Sequence, residues 1–402
     1  MLAAPMSLRM FDRELAAPTV VRAGTHRSAT LEATWRRFAP AQRAAGITRI
    51  ADLTGLDTIG IPVFAAIRPM GRSLSTQQGK GTTAAAARVS ALMESLETFT
   101  AEQPLAGIVR GSARALGRQR RVVDVRRLAR AGRGRLDRDA RWPWVSGWDL
   151  AAGEPILVPA ECVTLDTVFS RPPVFDVSST GLASGNVLVE AIVHGLLEVI
   201  ERDAEAAWRR GGRDRRLVLD AIDDAACREL IAKITGAGAR VFVWDLTGER
   251  GVAVPVIGCA IVEDPGAPAW RPLGVYQGFG AHLVPEVAIA RAITEAAQTR
   301  VTYIAGGRDD FFPIDYARAT DPELVADLWA RAASPCDEPV DPNELPRVVT
   351  RGLGEDLEVL LARLAEAGSP QVIAVDLTRP ELGVPVVRVL VPGRATDVGA
   401  QG

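Results

Sequence analysis

Hydrophobic and polar positions along the chain predict a protein built from both helices and strands. Apolar residues recur at helical spacing in four stretches, which we predict to be helices over about 84–102, 188–209, 285–304 and 354–367. Residues 59–63 are predicted to lead into a strand, and shorter apolar runs predict strands within 142–165 and at 240–244, 252–257, 371–377 and 384–391. Pro255 favours a sheet edge for the strand that contains it, because proline cannot donate to a ladder. This mixture predicts an α/β or α+β architecture.

The segments between these elements are rich in turn residues and divide the chain. Residues 77–83 are predicted to be a glycine-containing loop, and 104–141 an arginine-rich, solvated excursion. A chain of 402 residues is long enough for two or three packed subdomains. We divide it into an N-terminal part (1–70), a main part (71–393) and a tail (394–402) that we expect to be loose.

Each of the three long helices carries polar side chains at positions i, i+4 and i+7. The three sets are Ser90, Glu94 and Glu97; His194, Glu198 and Glu201; and Arg291, Glu295 and Gln298. At about 100° per residue, each set lies within an arc of about 60°. Apolar residues occupy the opposite faces, so each helix can bury one face and present a narrow polar stripe. On a single helix such a stripe is most often only a solvated face.

Three such stripes together favour a site for a metal ion and a nucleotide. If the stripes converged, their carboxylates would repel one another and their pKa values would rise. A hard cation removes that cost, and carboxylate oxygens suit Mg²⁺, which often bridges to nucleotide phosphates. Candidate phosphate ligands lie beside the helices, namely Lys80, Arg202 and Arg308. Lys80 is followed by Gly81, not by Ser or Thr, so this loop is not a Walker A motif.

Composition and charge narrow the classes of function. A net charge of −2 gives no overall case for nucleic-acid binding. We find no apolar run of about 18 residues and no signal peptide, so we expect a cytoplasmic protein that does not cross a membrane. The four cysteines include no C-x-x-C pair, which argues against a zinc site or a disulfide framework. Lysine and asparagine are scarce, so Lys80 and Asn186 within glycine-rich motifs are candidates for specific roles, with chance as the alternative.

Three ordered motifs, one at each long helix, carry the most specific signal in the chain. The first is Gln78-Gly79-Lys80-Gly81 followed by residues 87–97; the second comprises 181–186 and 198–203; the third comprises 280–282, 291–300 and 306–310. They resemble the three ATP-binding motifs of the YcaO family, and further matches lie at 24–27, 382–388 and 392–393. The resemblance spans nearly the whole chain.

This resemblance implies a YcaO-type fold with ATP held between layers of sheet and helix, together with Mg²⁺. It implies metal or nucleotide ligation by six glutamates, which are Glu94, Glu97, Glu190, Glu198, Glu201 and Glu295. It also implies ATP contacts, or ordering of the ligands, by seven residues: Arg27, Lys80, Ser90, Asn186, Arg202, Gln298 and Arg308. A homodimer is a further implication.

The activity implied is ATP-dependent activation of a backbone amide in a ribosomally synthesised peptide. A nucleophile adds to the amide carbonyl, the resulting oxyanion attacks the γ-phosphate, and phosphate then leaves. Positioning and charge neutralisation are the main requirements for such a reaction, so we expect no dedicated nucleophile in the protein. The chain accordingly lacks a G-x-S-x-G motif.

Details of the motifs leave three functions open. The chain lacks the Pro-x-Pro-x-Pro tail of many azoline-forming members. The residues of its motifs are similar to those of members that install a thioamide with a TfuA-type partner and an external sulfur source. Formation of an azoline or macroamidine by cyclodehydration is the second alternative. The third is a non-catalytic nucleotide-binding partner, because Thr98 follows Glu97 where the family often has arginine. We see no leader-binding domain, so we expect a separate partner protein. The arginine-rich stretch from Arg110 to Arg141 is either a solvated face or a surface for an acidic leader peptide.

Overall fold

The computed structural model describes residues 8–21, 24–132, 136–168, 172–266, 274–336 and 338–394. Its helices are α1 (Leu31–Phe38), α2 (Ala84–Glu102), α3 (Ala113–Leu116), α4 (Leu188–Arg209), α5 (Ala225–Gly236), α6 (Pro285–Ala305), α7 (Pro313–Ala319), α8 (Pro322–Ala333) and α9 (Leu353–Glu366). The fold therefore contains the four predicted helices, α2, α4, α6 and α9, with bounds within one residue of those predicted.

The strands form antiparallel ladders throughout the described chain. They are β1 (Arg9–Met10), β2 (Arg13–Glu14), β3 (Arg49–Asp52), β4 (Val63–Ile67), β5 (Thr76–Lys80), β6 (Val109–Gly111), β7 (Trp142–Asp149), β8 (Glu154–Pro159), β9 (Leu182–Ser184), β10 (Arg240–Asp245), β11 (Val256–Val262), β12 (Val275–Ala281), β13 (Ile373–Asp376) and β14 (Val386–Leu390). A six-stranded sheet has the order β6-β7-β13-β14-β9, with β8 on the other edge of β7. Two three-stranded sheets, β3-β4-β5 and β10-β11-β12, and the β1-β2 hairpin complete the set.

Each long helix packs its apolar face against a different sheet. Helix α2 lies on β4 and β5, α4 on β9 and β14, and α6 on β11 and β12. The apolar faces are buried as the periodicity predicts; Leu92, Ile192 and Ile293 are each 0% exposed. This confirms the mixed α/β class and leaves the polar stripes of all three helices on the sides away from their sheets.

Glycines in the strands let two of these helices approach closely. A Cβ atom at Gly79 of β5 would stand 2.0 Å from the backbone nitrogen of Ala91 in α2. A Cβ atom at Gly278 of β12 would stand 2.1 Å from the nitrogen of Ala296 in α6. Any larger residue would push the helix away from its sheet, so these glycines set the distance between each helix and its sheet and thereby the position of the polar stripe.

Two predictions about strands are wrong, and each has a physical reason. Residues 76–80 form strand β5, whereas the sequence predicted a loop from 77, because the glycine at 79 is needed for helix packing and not for a turn. Pro255 does not mark an edge strand: β11 begins at the next residue, Val256, and is the central strand between β10 and β12. Proline here precedes the ladder and so removes no hydrogen bond from it.

The end of the described chain is anchored at Arg394. Its side chain donates to Asp203 at 2.8 Å and to the hydroxyl of Ser369 at 2.9 Å. Arg394 therefore does not belong to a loose tail, and the remainder of the predicted tail, 395–402, lies outside the described residues. The division at residue 70 stays a prediction.

Candidate functional site

The polar stripes of α4 and α6 face each other and meet the end of β5. Glu295 on α6 is the centre of these contacts, since it pairs with Lys80 of β5 and with Arg202 of α4, the latter at 3.2 Å. One turn away, Arg291 Nη2 lies 3.2 Å from His194 Nε2. Two of the three predicted stripes thus form a common polar seam.

The stripe of α2 reaches the same seam from the other side. Glu97 is buried, hydrogen-bonds to Ser184 at the end of β9, and lies within electrostatic reach of Glu94 and Glu198. Glu94 in turn interacts electrostatically with Lys80 and Glu295. The convergence that was a hypothesis from the sequence is therefore present in the structure. We call the five central residues the carboxylate cluster; they are Glu94, Glu97, Glu198, Glu201 and Glu295.

Backbone groups of β12 hold two members of the carboxylate cluster in place. The Ala281 N–H donates to Glu201 at 2.9 Å, and the Phe279 N–H donates to Glu295 at 3.4 Å. Hydrogen bonds to a carboxylate fix its rotamer and favour its charged form. Strand β12 thereby aligns α4 with α6.

Burial and mutual repulsion divide the carboxylate cluster into two kinds of group. Burial, helped by Glu201 and Glu94, raises the pKa of Glu198 to about 8. Burial also raises the pKa of Glu94, Glu97 and Glu201, although the Glu94 side chain keeps access to solvent from the seam. Burial would raise the pKa of Glu295 too, but Lys80 and Arg202 outweigh it and hold that pKa at about 2.

The carboxylate cluster has the character expected of an Mg²⁺ site. Glu94, Glu97 and Glu198 form no ion pair within the described residues, so three adjacent carboxylates lack a compensating cation in contact. Among the described residues, no group of three or more histidine, cysteine, aspartate or glutamate side chains is arranged to hold a metal ion by itself. Mg²⁺ commonly binds through one or two carboxylates, waters and nucleotide phosphates rather than a protein cage, so an open row of glutamates fits this ion.

Three predicted residues form a separate cluster at the start of α4. The Glu190 carboxylate accepts hydrogen bonds from Ser28 Oγ at 2.6 Å and from the Asn186 side chain at 3.1 Å, and lies 3.6 Å from Arg27. Asn186 also accepts a hydrogen bond from Thr34 at 2.8 Å. These contacts tie the N-terminal segment to α4, and Arg27 connects them electrostatically to Arg291 and Glu97.

The last three predicted residues lie at the rim of the carboxylate cluster. Ser90 and Gln298 are half-buried on the stripes of α2 and α6, and within the described residues their side chains form no hydrogen bond. Arg308, in the loop after α6, donates to Asp310 at 2.7 Å and is within electrostatic reach of Glu94. Arg308 is thus placed to face the same space as Lys80 and Arg202.

Sequence reasoning did not find Arg388, which lies behind the carboxylate cluster. It is 2% exposed, donates from Nε to the Cys162 carbonyl at 2.9 Å, and leaves Nη1 without a hydrogen bond among the described residues. Its charge acts on Glu198 and Glu97. An arginine within the apolar run Val386–Leu390 was the available signal, because a strand buried in a core rarely carries an unpaired charge.

A second missed residue is Asp356, which lies beside His26. His26 Nδ1 lies 3.6 Å from Asp356 Oδ2, and the His26 ring packs edge-on against that of His282 with centroids 4.4 Å apart. Burial, with the nearby charges of His26 and Arg291, holds the pKa of His282 well below its usual range. Its Nδ1 accepts the Val284 N–H at 3.0 Å, which fixes it as the neutral Nε2–H tautomer.

Comparison with known proteins places these features in a family. Residues 78–395 match the model of the family described as YcaO cyclodehydratase, ATP- and Mg²⁺-binding. The chain is 35% identical over 382 residues, or 93% of its length and 90% of the relative, to an uncharacterized protein in the tfuA 3′ region of Rhizobium leguminosarum bv. trifolii. It is 37% identical over 358 residues, or 87% of its length and 89% of the relative, to an uncharacterized protein of Methanothermobacter thermautotrophicus.

Solved structures share the fold over nearly the whole chain. The structure of YcaO from Methanopyrus kandleri bound with AMPPCP and Mg²⁺ matches with a TM-score of 0.76 and 30% identity, covering 96% of each chain. A heterocyclase in complex with substrate and cofactor matches with a TM-score of 0.77 over 97% of this chain and 55% of that one. At 22% identity the second match shows the fold alone. Among the described helices, none is long and apolar enough to cross a membrane.

Proposed function

This chain is an ATP-dependent enzyme of the ATP- and Mg²⁺-binding YcaO family, and we propose that it activates a backbone amide of a ribosomally synthesised peptide and installs a thioamide there. The observation that carries the proposal is the convergence of the polar stripes of α2, α4 and α6. It brings Lys80, Arg202 and Glu295 into contact beside Glu94, Glu97 and Glu198, which form no ion pair with any other described residue.

The carboxylate cluster would hold Mg²⁺, and the cations around it would bind the nucleotide. Lys80, Arg202 and Arg308 would contact phosphate oxygens, for which arginine forks and ammonium groups are suited. Ser90 and Gln298 have free hydrogen-bonding groups at the rim, where they would order the ligands. Glu190 would take part from the neighbouring cluster, with Arg27 and Asn186 fixing its carboxylate.

When bound, ATP supplies the phosphoryl group that turns the amide oxygen into a leaving group. The protein's part is to hold the amide oxygen in line with that group and to neutralise developing negative charge. The cations Lys80, Arg202 and Arg291 surround the seam and provide this charge. The proposed reaction requires no side-chain nucleophile. Burial raises the pKa of the Cys162, Cys227 and Cys259 thiols, so these three do not favour the reactive thiolate.

Two observations favour a thioamide as the product. The relative in the tfuA 3′ region aligns with almost the full length of the chain, which supports a TfuA-type protein as partner. The residues of the motifs at 90–94 and 306–310 are also similar to those of members that work with a TfuA-type partner. Assembly as a homodimer remains part of the proposal.

Mass spectrometry of a modified peptide tests the proposal. The chain, a TfuA-type protein, a sulfide source, ATP, Mg²⁺ and a candidate peptide are incubated together, and we expect a gain in peptide mass equal to replacement of oxygen by sulfur. Loss of one water per modification would instead identify a cyclodehydratase. ATP binding with no chemical change under any of these conditions would identify a nucleotide-binding partner and overturn the proposal.

A Lys80→Met variant provides the matched control. It removes a proposed phosphate ligand but keeps most of the side-chain volume, so we expect the sulfur exchange to be lost while the fold persists. A Lys233→Met variant changes the other lysine, which pairs with Glu229 on the far helix α5 at 3.0 Å, and should modify the peptide normally. Equal activity of the two variants would refute the role of Lys80.

A further inference from the structure

The region from β6 to the start of β7 concentrates positive charge on a chain that is nearly neutral. Residues 110–141 contain twelve arginines and three aspartates, a local net charge of +9, whereas the whole chain carries −2. The carboxylate cluster uses none of these arginines. Such a surplus disfavours folding through self-repulsion, and a bound anionic partner would relieve that repulsion.

The structure shapes part of this region into a cleft. The cleft has a volume of about 690 Å³ and is lined by α3, by the segment 117–126 and by Arg138. Arg126 pairs with Asp124, and Arg121 pairs with Asp149 at 3.3 Å and with Glu154 at 2.7 Å. Three further arginines line the cleft, Arg118, Arg120 and Arg138, and their side chains form no ion pair or hydrogen bond with the described part of the chain. We call these three the free arginines.

The wall of the cleft also includes Val122, which forms an isolated β-bridge at the outer edge of β8. Val122 pairs in parallel with Leu157 of β8, through the Arg121 carbonyl and the Val123 N–H at 2.9 and 3.0 Å. In a parallel ladder the residue between these two points its own N–H and C=O away from the partner strand. The Val122 N–H and C=O accordingly have no hydrogen-bond partner within the described residues. Unpaired edge groups of this kind accept an added strand.

From these features we infer that the cleft binds an extended, acidic peptide segment, which pairs with the Val122 edge while its carboxylates contact the free arginines. The identification of the ligand as part of a peptide substrate or peptide partner rests on the proposed function. A nucleic acid would also satisfy the arginines, but it has no N–H and C=O ladder to pair with the strand edge. The edge therefore favours a peptide.

The position of the cleft suits a segment bound at a distance from the chemistry. Ser184 of β9 contacts Glu97, and five steps between hydrogen-bonded neighbours lead from Val122 to β9. The path runs through β8, β7, β13 and β14. At about 4.8 Å per neighbour the separation is about 24 Å. About seven or eight extended residues bridge this distance, so the acidic segment and the modified amide would be at least that far apart in sequence.

Fluorescence polarisation tests the inference directly. The probe is a short labelled peptide rich in Asp and Glu, with a matched peptide in which Asn and Gln replace the acids. We expect the acidic probe alone to bind, with an affinity that falls as salt increases. Charge reversal of the free arginines, in the triple variant Arg118→Glu/Arg120→Glu/Arg138→Glu, should weaken binding by roughly tenfold or more.

A control variant separates local contacts from net charge. Arg36, Arg43 and Arg49 are exposed and lie outside the cleft, so reversing all three gives the same change in total charge and should leave probe binding within about twofold of wild type. Equal weakening by both triple variants would overturn the inference. So would binding of a single-stranded RNA oligonucleotide that is tighter than the acidic probe and equally dependent on the free arginines.

Failure of this inference is distinguishable from failure of the proposed function. The free arginines lie outside the carboxylate cluster, so the cleft variant should bind an Mg²⁺-ATP analogue as the wild type does. If the cleft variant bound both the Mg²⁺-ATP analogue and the acidic probe as the wild type does, the inference about the cleft would be refuted and the proposed function would not. Absent nucleotide binding in the wild-type chain would refute the proposed function, whatever the probe does.

Discussion

Replacing Glu198 with glutamine should stabilise the ligand-free protein at high pH. Glu198 lies on α4 among Glu94 and Glu201, and burial with these neighbours raises its pKa to about 8. The unfolded chain has the ordinary value of 4.5. Glutamine has nearly the same shape as the protonated acid and never becomes charged, so Glu198→Gln mimics the form that the folded protein prefers.

The magnitude follows from the difference between these two pKa values. A raised folded-state pKa means that folding takes up a proton, so this contribution to stability is complete below about pH 4.5 and is lost as the pH rises through 8. A shift of about 3.5 units corresponds to a ceiling of about 5 kcal/mol. The side chain is half-buried, and water screens part of the repulsion, so we expect the variant to gain about 2 to 3 kcal/mol at pH 8.5 and less than about 1 kcal/mol at pH 5.

Urea unfolding with a chelator present measures this gain. The midpoints and slopes of the unfolding curves are compared for the wild type and Glu198→Gln at pH 5, 7 and 8.5. Glu190→Gln is the matched control on the same helix. The Glu190 carboxylate accepts hydrogen bonds from Ser28 and Asn186, so its replacement should destabilise the protein by about 1 to 3 kcal/mol instead.

Addition of Mg²⁺ and a non-hydrolysable ATP analogue should reverse the order of stability. A cation bound to the carboxylate cluster removes the repulsion, so the wild type should gain more stability than Glu198→Gln. The reasoning would be refuted if Glu198→Gln were no more stable than the wild type at pH 8.5 in chelator, or if the gain did not grow between pH 5 and pH 8.5.

Two further predictions concern the scaffold. Arg300 is 0% exposed and donates a hydrogen bond to Asp57 at 2.9 Å. Arg300→Met should therefore lower the free energy of unfolding by about 3 to 5 kcal/mol in urea titrations, with partial recovery in Arg300→Met/Asp57→Leu. A loss below about 1 kcal/mol in the single variant would contradict this. Gly79→Ala places a Cβ atom 2.0 Å from the nitrogen of Ala91 and should cost about 1 to 3 kcal/mol, whereas Gly55→Ala, with open space around it, should cost little. Equal thermal midpoints for the two glycine variants would show that α2 can shift without cost.

The helices and their stripes could be predicted because their signals are local. A period of 3.6 residues is repeated over five turns or more in α2, α4 and α6, and the stripe residues Glu94, Glu198 and Glu295 lie on the faces that this period assigns. Convergence of the stripes was a hypothesis that no spacing could prove. The structure supplies it through the Lys80 and Arg202 contacts with Glu295.

Strands β5 and β12 show where local signals are misleading. Both carry glycines, Gly79 in β5 and Gly278 in β12, which lower strand propensity. These glycines are required by helices that pack from distant parts of the chain. Propensity therefore points away from a strand at the positions where tertiary packing demands one.

Two residues whose contacts are long-range were missed in the sequence. Arg388 contacts the carbonyl of Cys162, 226 positions away, and Asp356 approaches His26 from helix α9. Neither belongs to a repeated spacing. Only the arrangement of β14 and α9 in space brings these side chains to the region of the polar seam.

Calorimetric titration with an Mg²⁺-ATP analogue tests the central claim, that the stripes of α2, α4 and α6 form the nucleotide site. Glu94→Gln is the decisive variant, because Glu94 forms no ion pair within the described residues and keeps access to solvent, so its loss should not disturb the fold. Glu201→Gln tests a second helix, and Glu229→Gln on α5 is the control. The account predicts Mg²⁺-dependent binding that is roughly tenfold or more weaker in Glu94→Gln and Glu201→Gln and unchanged in Glu229→Gln. Wild-type affinity in both cluster variants would contradict it.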